Sequence, residues 1–252
     1  MLKHLFNFLL LIMAVAYLAF AVVRYGHAED MLPCAALQVT VIDSAHATLI
    51  SARGIEDALR QERMHPVGER MRDINPFAIE QTLERDSFIR DAICTITPGE
   101  RVRILVVQRI PMLRIMDDAG GDYYIDEEGT FMEAEGYEAN LAVATGSISP
   151  AFAKRELLVL GSFLRSHEFW DGQVEQIVVH PNKEIDLIMR VGDQVVHFGT
   201  VERVAEKFSN LRAFYTTIMP KVGWHKYSEI SVAYEGRVIC RKRKTDNKVA
   251  GA

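Results

Sequence analysis

Cysteine is scarce in this chain: 252 residues hold three, Cys34, Cys94 and Cys240, widely spaced and with no C-x-x-C. An odd number cannot close a disulfide framework, and no zinc-ligand spacing is present. The three read as small apolar residues. The eight histidines lack H-x-H, H-x-x-x-H and H-E-x-x-H spacing, so the pattern supplies no metal cage. Also missing are a P-loop, a G-x-S-x-G elbow, a G-x-G-x-x-G turn and any internal repeat. Those absences remove the common nucleotide, acyl-transfer and metallohydrolase chemistries. No residue is therefore a candidate for catalysis, cofactor binding or metal ligation, and the chain reads as a non-enzyme without a small-molecule substrate.

Charge of one sign is also unevenly spread. The formal net charge is −5, yet residues 25–236 sum to −12 and residues 237–252 to +5. An acidic body with a basic end is a poor nucleic-acid binder. The densest carboxylates, Asp117-Asp118 and Asp126-Glu127-Glu128, lack the alternating oxygen ligands of an EF-hand loop and read as solvated turns.

What the sequence does have is one long apolar run. Leu5 to Val23 (LFNFLLLIMAVAYLAFAVV) holds no Asp, Glu, Lys, Arg or His over nineteen residues. As a helix it reaches about 28 Å, close to the hydrocarbon thickness of a bilayer. Two readings fit: an uncleaved signal-anchor, or a cleaved signal peptide with Lys3 and His4 as n-region and Gly26-His27-Ala28 as the small-x-small site. The run exceeds the usual h-region length, which favours the anchor. Residues 1–4 are too few to hold a domain, so the fold is expected after the anchor. Residues 24–36 form a polar connector broken by Gly26 and Pro33.

Beyond it the pattern is mixed α+β. Leu37–Ile42 alternates as a strand. Ser51 caps a helix through Ile55, Ala58 and Leu59. Asn75-Pro76 starts another, predicted to turn Phe77, Ile79, Leu83 and Phe88 inward and Glu80, Glu84 and Arg85 outward. Strands Ala92–Ile96 and Val102–Val107 follow, joined through Pro98-Gly99. The order β-α-α-β-β over some 70 residues is a compact unit. After Arg109 short strands recur: Leu113–Met116, Tyr123–Ile125, Thr130–Met132 and the apolar piece Asn140–Thr145. Ser149-Pro150 opens a helix with Phe152, Leu157, Leu160 and Leu164 on one face. Val174–Val179, Glu184–Met189 and Gln194–Phe198 are hairpin strands. Val201–Met219 is the clearest amphipathic helix, with Val204, Phe208, Leu211, Tyr215 and Ile218 on one side. A final hairpin, Glu229–Tyr234 and Arg237–Arg243, turns at Glu235-Gly236, and residues 244–252 are a loose polar tail.

These stretches, in this order, resemble the FtsQ/DivIB family of bacterial cell-division proteins. Asp73-Ile-Asn-Pro-Phe77 with Ile79, Glu80, Leu83, Phe88, Ile89 and Ala92 is similar to the second helix and following strand of the family's POTRA domain. Val102-Arg-Ile-Leu-Val-Val-Gln-Arg-Ile-Pro111 resembles the strand that ends it. Tyr124-Ile-Asp-Glu-Glu-Gly129-Thr-Phe131 resembles the hairpin opening the β-domain. Leu141-Ala-Val-Ala-Thr-Gly146 is similar to a later piece, with Ala142 in place of the usual proline. Val195-Val-His-Phe-Gly199, the helix from Val201, and Ile230–Tyr234 with Arg237-Val-Ile239 resemble the C-terminal strand-helix-hairpin. Two departures stand out: a short N-terminal tail, and Cys240-Arg241 where an aromatic often ends the last strand.

The resemblance implies an α+β architecture. Its expected parts are a cytoplasmic tail (1–4), a transmembrane helix (5–23), a connector (24–36), a POTRA-like β-α-α-β-β domain (37–109), a mixed β-rich FtsQ-type domain with two helices (110–243), and a polar tail (244–252). It implies a non-enzymatic divisome scaffold at the septum. Such a protein crosses the cytoplasmic (inner) membrane once, with its N-terminus cytoplasmic and its bulk periplasmic. The partners so implied are an FtsB/FtsL-type coiled-coil pair, plus other division proteins through the POTRA-like part. Strand addition to the last hairpin would supply the mechanism, with Tyr234, Gly236, Arg237, Val238, Ile239 and Arg241 as expected partner-binding residues. Basic residues on an edge strand also serve simply to prevent unwanted pairing. The reading to set against it is a secreted binding protein or enzyme released by signal-peptide cleavage.

Overall fold

The computed structural model describes residues 10–20, 32–42, 49–134 and 136–243. Residues 10–20 are helical (α1) and expose Leu10, Leu11, Ile12, Met13, Val15, Leu18 and Phe20. The two ends of the expected span 5–23, the tail 1–4, residues 24–31 of the connector and the tail 244–252 lie outside the described residues. Among the described residues no helix is long and apolar enough to cross a membrane. The chain divides into two compact units between Arg109 and Ile110.

The first unit runs β1 (Ala36–Ile42), α2 (Ala52–Gln61), a 3-10 turn (Met71–Asp73), α3 (Pro76–Leu83), β2 (Ile89–Thr97) and β3 (Arg101–Gln108). Its sheet has the order β1-β3-β2, with β1 parallel and β2 antiparallel to β3. A parallel pair needs a crossover, and the segment carrying both helices provides it. Ser51 accepts from the Gly54 amide and Asn75 from the Ala78 amide, so each helix starts at its capping residue. Ile55, Leu59, Ile79, Leu83 and Phe88 meet Ala92, Cys94, Val102, Ile104 and Val106 in the core. Burial, then Glu80, pushes the Cys94 thiol up to about 11, so it stays protonated at neutral pH.

Phe77 and Glu80 of α3 sit otherwise than its sequence pattern predicts. Phe77 is 63% exposed. Once Ile79 and Leu83 fix the inward face, a residue two places before Ile79 lies roughly 200° round the helix. Glu80, expected outward, is half-buried, and both it and the exposed Glu84 reach the outer edge of β2. Glu80 accepts from the Cys94 amide at 2.7 Å and Glu84 from the Ala92 amide at 3.4 Å. Successive outward amides on this edge strand are thereby occupied by side chains of its own unit.

The second unit contains β4 (Pro111–Asp117), β5 (Asp122–Asp126), β6 (Phe131–Glu133), β7 (Val143–Gly146), α4 (Pro150–Phe152), α5 (Leu158–Arg165), α6 (Glu168–Gln173), β8 (Val174–Val179), β9 (Ile185–Met189), β10 (Val195–Gly199), α7 (Val204–Thr217), α8 (Met219–Val222), β11 (Tyr227–Ser231) and β12 (Ile239–Lys242). A π turn, Ala153–Leu157, joins α4 to α5. The nine strands form one mixed sheet in the order β12-β11-β10-β9-β8-β7-β4-β5-β6. One face packs under the helices: Leu113, Ile115, Ala144, Ile177, Leu187, Val196, Phe198 and Ile230 meet Phe152, Leu157, Leu160, Leu164, Trp170, Phe208, Leu211 and Tyr215. An aromatic group of Phe163, Trp170, Phe198 and Phe208, with centroids 4.8 to 5.0 Å apart, lies at its centre. The helix expected from Val201 starts at Val204, because Arg203 takes a left-handed φ of 54°. Ile218, expected inward, is 37% exposed at the helix end, whereas Lys207, which the apolar pattern passes over, is buried. The carboxylates read as solvated turns are turn-closing groups. Asp117 accepts from the amides of Ala119 and Gly121, and buried Asp126 from those of Glu128 and Thr130.

Gly146 ends β7 at φ +104°, where an added Cβ would lie 2.3 Å from the Val179 carbonyl oxygen. Gly146→Ala therefore combines left-handed strain with overpacking, and a loss of roughly 2–4 kcal/mol is expected in urea unfolding. In the first unit, Glu80→Ala strips the Cys94 amide of its acceptor. A cost of about 1–2 kcal/mol is expected, with faster hydrogen exchange at Cys94 than at Ile104 on the central strand.

Candidate docking site

The site grows from the last hairpin. Val195-Val-His-Phe-Gly199 alternates, so Val196 and Phe198 go to the core and His197 to the open face. β11 does the same, burying Ile230 and leaving Glu229 and Ser231 on the open face. β11 joins β10 in parallel through only three pairs, Val195↔Glu229, Val196↔Ile230 and His197↔Ser231. One more bond, from the Val232 amide to the His197 carbonyl at 3.0 Å, follows them. β12 then pairs antiparallel with β11, from Ser231↔Ile239 to Tyr227↔Lys242. It is the terminal strand, and among the described residues no strand lies on its other side.

The final strand is shorter than its predicted span, Arg237–Arg243. Residues 232–238 form a loop, held because the Gly236 amide donates to Glu206 at 3.3 Å while Arg203 meets Glu235 at 3.2 Å. Gly236 has a φ of 61° and the Arg237 amide turns back to the Tyr234 carbonyl, so neither continues a strand. Of the expected partner-binding residues, Tyr234, Gly236, Arg237 and Val238 are thus in the loop, and Ile239 and Arg241 on β12. Tyr234 is 60% and Ile239 50% exposed, while Val238 and Cys240 pack partly against the core. The Arg243 amide points inward, donating to the Lys226 carbonyl at 3.0 Å. By strand alternation the amides of Cys240 and Lys242 point away from β11.

Five polar side chains cross the open face toward this edge. His180 Nε2 lies 2.9 Å from Asp186 Oδ2; His197 Nδ1 lies 2.7 Å from Asp186 Oδ1 and Nε2 3.3 Å from Glu229 Oε2. Arg241 Nη1 closes the row, donating to Glu229 Oε1 at 2.7 Å. His180 precedes β9, and the other four stand on β9, β10, β11 and β12, so neighbouring strands supply successive members. They line an open concavity of about 640 Å³ that also reaches Tyr234, Ile239 and Cys240. Burial lowers the pKa of His197, but the Asp186 and Glu229 carboxylates outweigh it and the net direction is upward. Below the sheet Lys207 donates to the Thr200 carbonyl at 2.7 Å and lies 4.8 Å from the Phe198 ring, pinning the loop after β10. Burial, then Arg203, lowers its pKa.

None of the ladder residues except Arg241 stands out in the sequence. Alternation in Val195–Phe198 assigns His197 to the open face, but its partners lie 11 residues before and 32 after it. Their meeting depends on strand order.

Comparison with known families gives two matches. The family described as "FtsQ/DivIB, C-terminal related" matches residues 110–241, and the one described as "POTRA-like domain" matches residues 32–107. No curated protein matches the chain. The first match covers the nine-stranded unit as far as Arg241 in β12, and the second covers the β-α-α-β-β unit. The chain therefore belongs to the FtsQ/DivIB family, whose members are non-enzymatic cell-division proteins.

Proposed function

We propose that this cell-division protein is a single-pass scaffold of the cytoplasmic membrane that docks an FtsB/FtsL-type partner by strand addition at β12. One observation carries the reading: β12 ends the sheet and turns the Cys240 and Lys242 amides outward. An extended segment bonds to such an edge through its main chain, and side chains on alternate positions give specificity. Ile239 and Arg241 stand on the open face beside Tyr234, offering an apolar contact, a cation and an aromatic surface to one side of the incoming strand. An acidic segment suits Arg241, Lys242 and Arg243, and the same charges repel basic strands.

Membrane anchoring rests on the apolar run Leu5–Val23, whose helical part α1 exposes its apolar side chains. In this reading the two units stand in the periplasm and the protein concentrates at the septum. The first unit is then a second contact region for division proteins, through surfaces other than the β2 edge that Glu80 and Glu84 occupy.

The test is co-purification of the full chain from detergent-solubilised membranes with a co-expressed FtsB-type partner. Lys242→Pro removes an outward amide from an edge strand without breaking a bond to β11, so the fold persists. At least a tenfold loss of partner is expected, by roughly 1.4 kcal/mol or more. Arg241→Glu is expected to weaken capture similarly. Undiminished capture by both variants would reject strand addition at β12. A soluble product lacking residues 1–28 would reject the anchor.

A further inference from the structure

The imidazole of His197 has a carboxylate on each ring nitrogen: Asp186 at 2.7 Å on Nδ1 and Glu229 at 3.3 Å on Nε2. A neutral imidazole donates from one nitrogen only and presents a lone pair at the other. Either tautomer therefore leaves one carboxylate facing a lone pair. Only the imidazolium donates to both. Asp186 belongs to β9 and Glu229 to β11, so a protonated His197 links three adjacent strands side by side.

The junction it spans is the one place where the terminal hairpin joins the rest of the sheet among the described residues. β11 meets β10 over three residue pairs, in parallel, and among the described residues β12 pairs with the sheet through β11 alone. Other charged groups face the same place. His180 and Glu184 flank β9, Arg241 of β12 holds Glu229, and from α7 Lys207 approaches Gly199 on the opposite face. With both histidines neutral the ladder of His180, Asp186, His197, Glu229 and Arg241 carries a net single negative charge, and protonating His197 brings it to neutrality.

We propose that His197 is a proton-operated clasp: protonated, it fastens β11, and with it the docking strand β12, to the sheet, and its deprotonation releases the hairpin. As a control on docking this rests on the strand-addition reading, whereas the fastening itself does not. The folded pKa is displaced upward. The clasp therefore contributes fully below the ordinary histidine value of about 6.5 and is lost as pH rises through the higher folded value. Acidification then favours a docked acidic strand twice over, through an ordered edge and a less negative open face.

The experiment uses the full chain in detergent micelles. Amide hydrogen exchange of residues 227–242, corrected for the intrinsic pH dependence of exchange, is compared at about pH 6 and pH 8.5, either side of a raised histidine pKa. Protection of this hairpin is expected to fall about tenfold across that interval, with β8 and β9 unchanged. His197→Gln is expected to exchange fast at both pH values, and His197→Lys, a cation throughout, slowly at both. Capture of the co-expressed FtsB-type partner is expected to follow the same order. Equal protection of the wild-type hairpin at both pH values, or a pH dependence that survives in His197→Gln, would overturn the clasp. A hairpin that opens with pH while partner is captured at neither value would leave the clasp standing and remove the docking reading.

Discussion

A β-sheet that does not close on itself ends in strands with unmet peptide groups, and each such edge must be covered, blunted or used. This constraint organises both units. In the first, α3 lies along the edge strand β2 and delivers Glu80 and Glu84 to the Cys94 and Ala92 amides. A carboxylate is a stronger acceptor than a peptide carbonyl, so a foreign strand would have to displace a charged group to pair there. In the second unit the end of the sheet at β12 has no such cover among the described residues, and its exposed side chains are cationic or apolar. The β2 edge is defended by its own helix. The β12 edge presents charge, which under the proposed docking would discriminate between partners rather than refuse all of them.

How firmly β12 is presented depends on what lies behind it. Most neighbouring strands in the second unit share four or five residue pairs, but β10 and β11 share three, in parallel, as few as β5 and β6 at the other end. Core packing holds this joint from one side through Val196, Phe198, Ile230 and Val232. On the open face the joint is held by the carboxylate–imidazole row. The loop 232–238 is tied down separately by Glu206 and Arg203 at the start of α7. Hydrophobic burial thus fixes where the hairpin lies, and polar contacts fix how long it stays there.

Much of the fold is legible in the residues. Asn75-Pro76 and Ser149-Pro150 start helices because a side-chain acceptor before a fixed-φ residue fits a helix N-terminus and little else. Leu157, Leu160 and Leu164 are buried as their spacing requires. The misread positions have specific causes. Phe77 is apolar yet exposed because the helix has a narrow inward face already filled by Ile79 and Leu83. Lys207 is charged yet buried because its ammonium reaches the Thr200 carbonyl and lies over the Phe198 ring. The final strand is shortened because loop residues find partners on α7, some 30 positions earlier in the chain.

The amino-acid order alone determined most of the elements and most of their inward faces, since those depend on period, capping and turn chemistry acting over a few residues. The short helices α6 and α8, beyond the two helices expected in the second unit, came only with the structure. It also determined that the last hairpin would be basic. Which strands became neighbours was decided by the tertiary structure, because pairing between distant segments follows from closing a common core. That choice placed His197 between Asp186 and Glu229, put the carboxylates of α3 on β2, and left β12 last in its sheet. Local rules carry no information about which strands become neighbours, and the row that joins Asp186, His197, Glu229 and Arg241 depends on that choice.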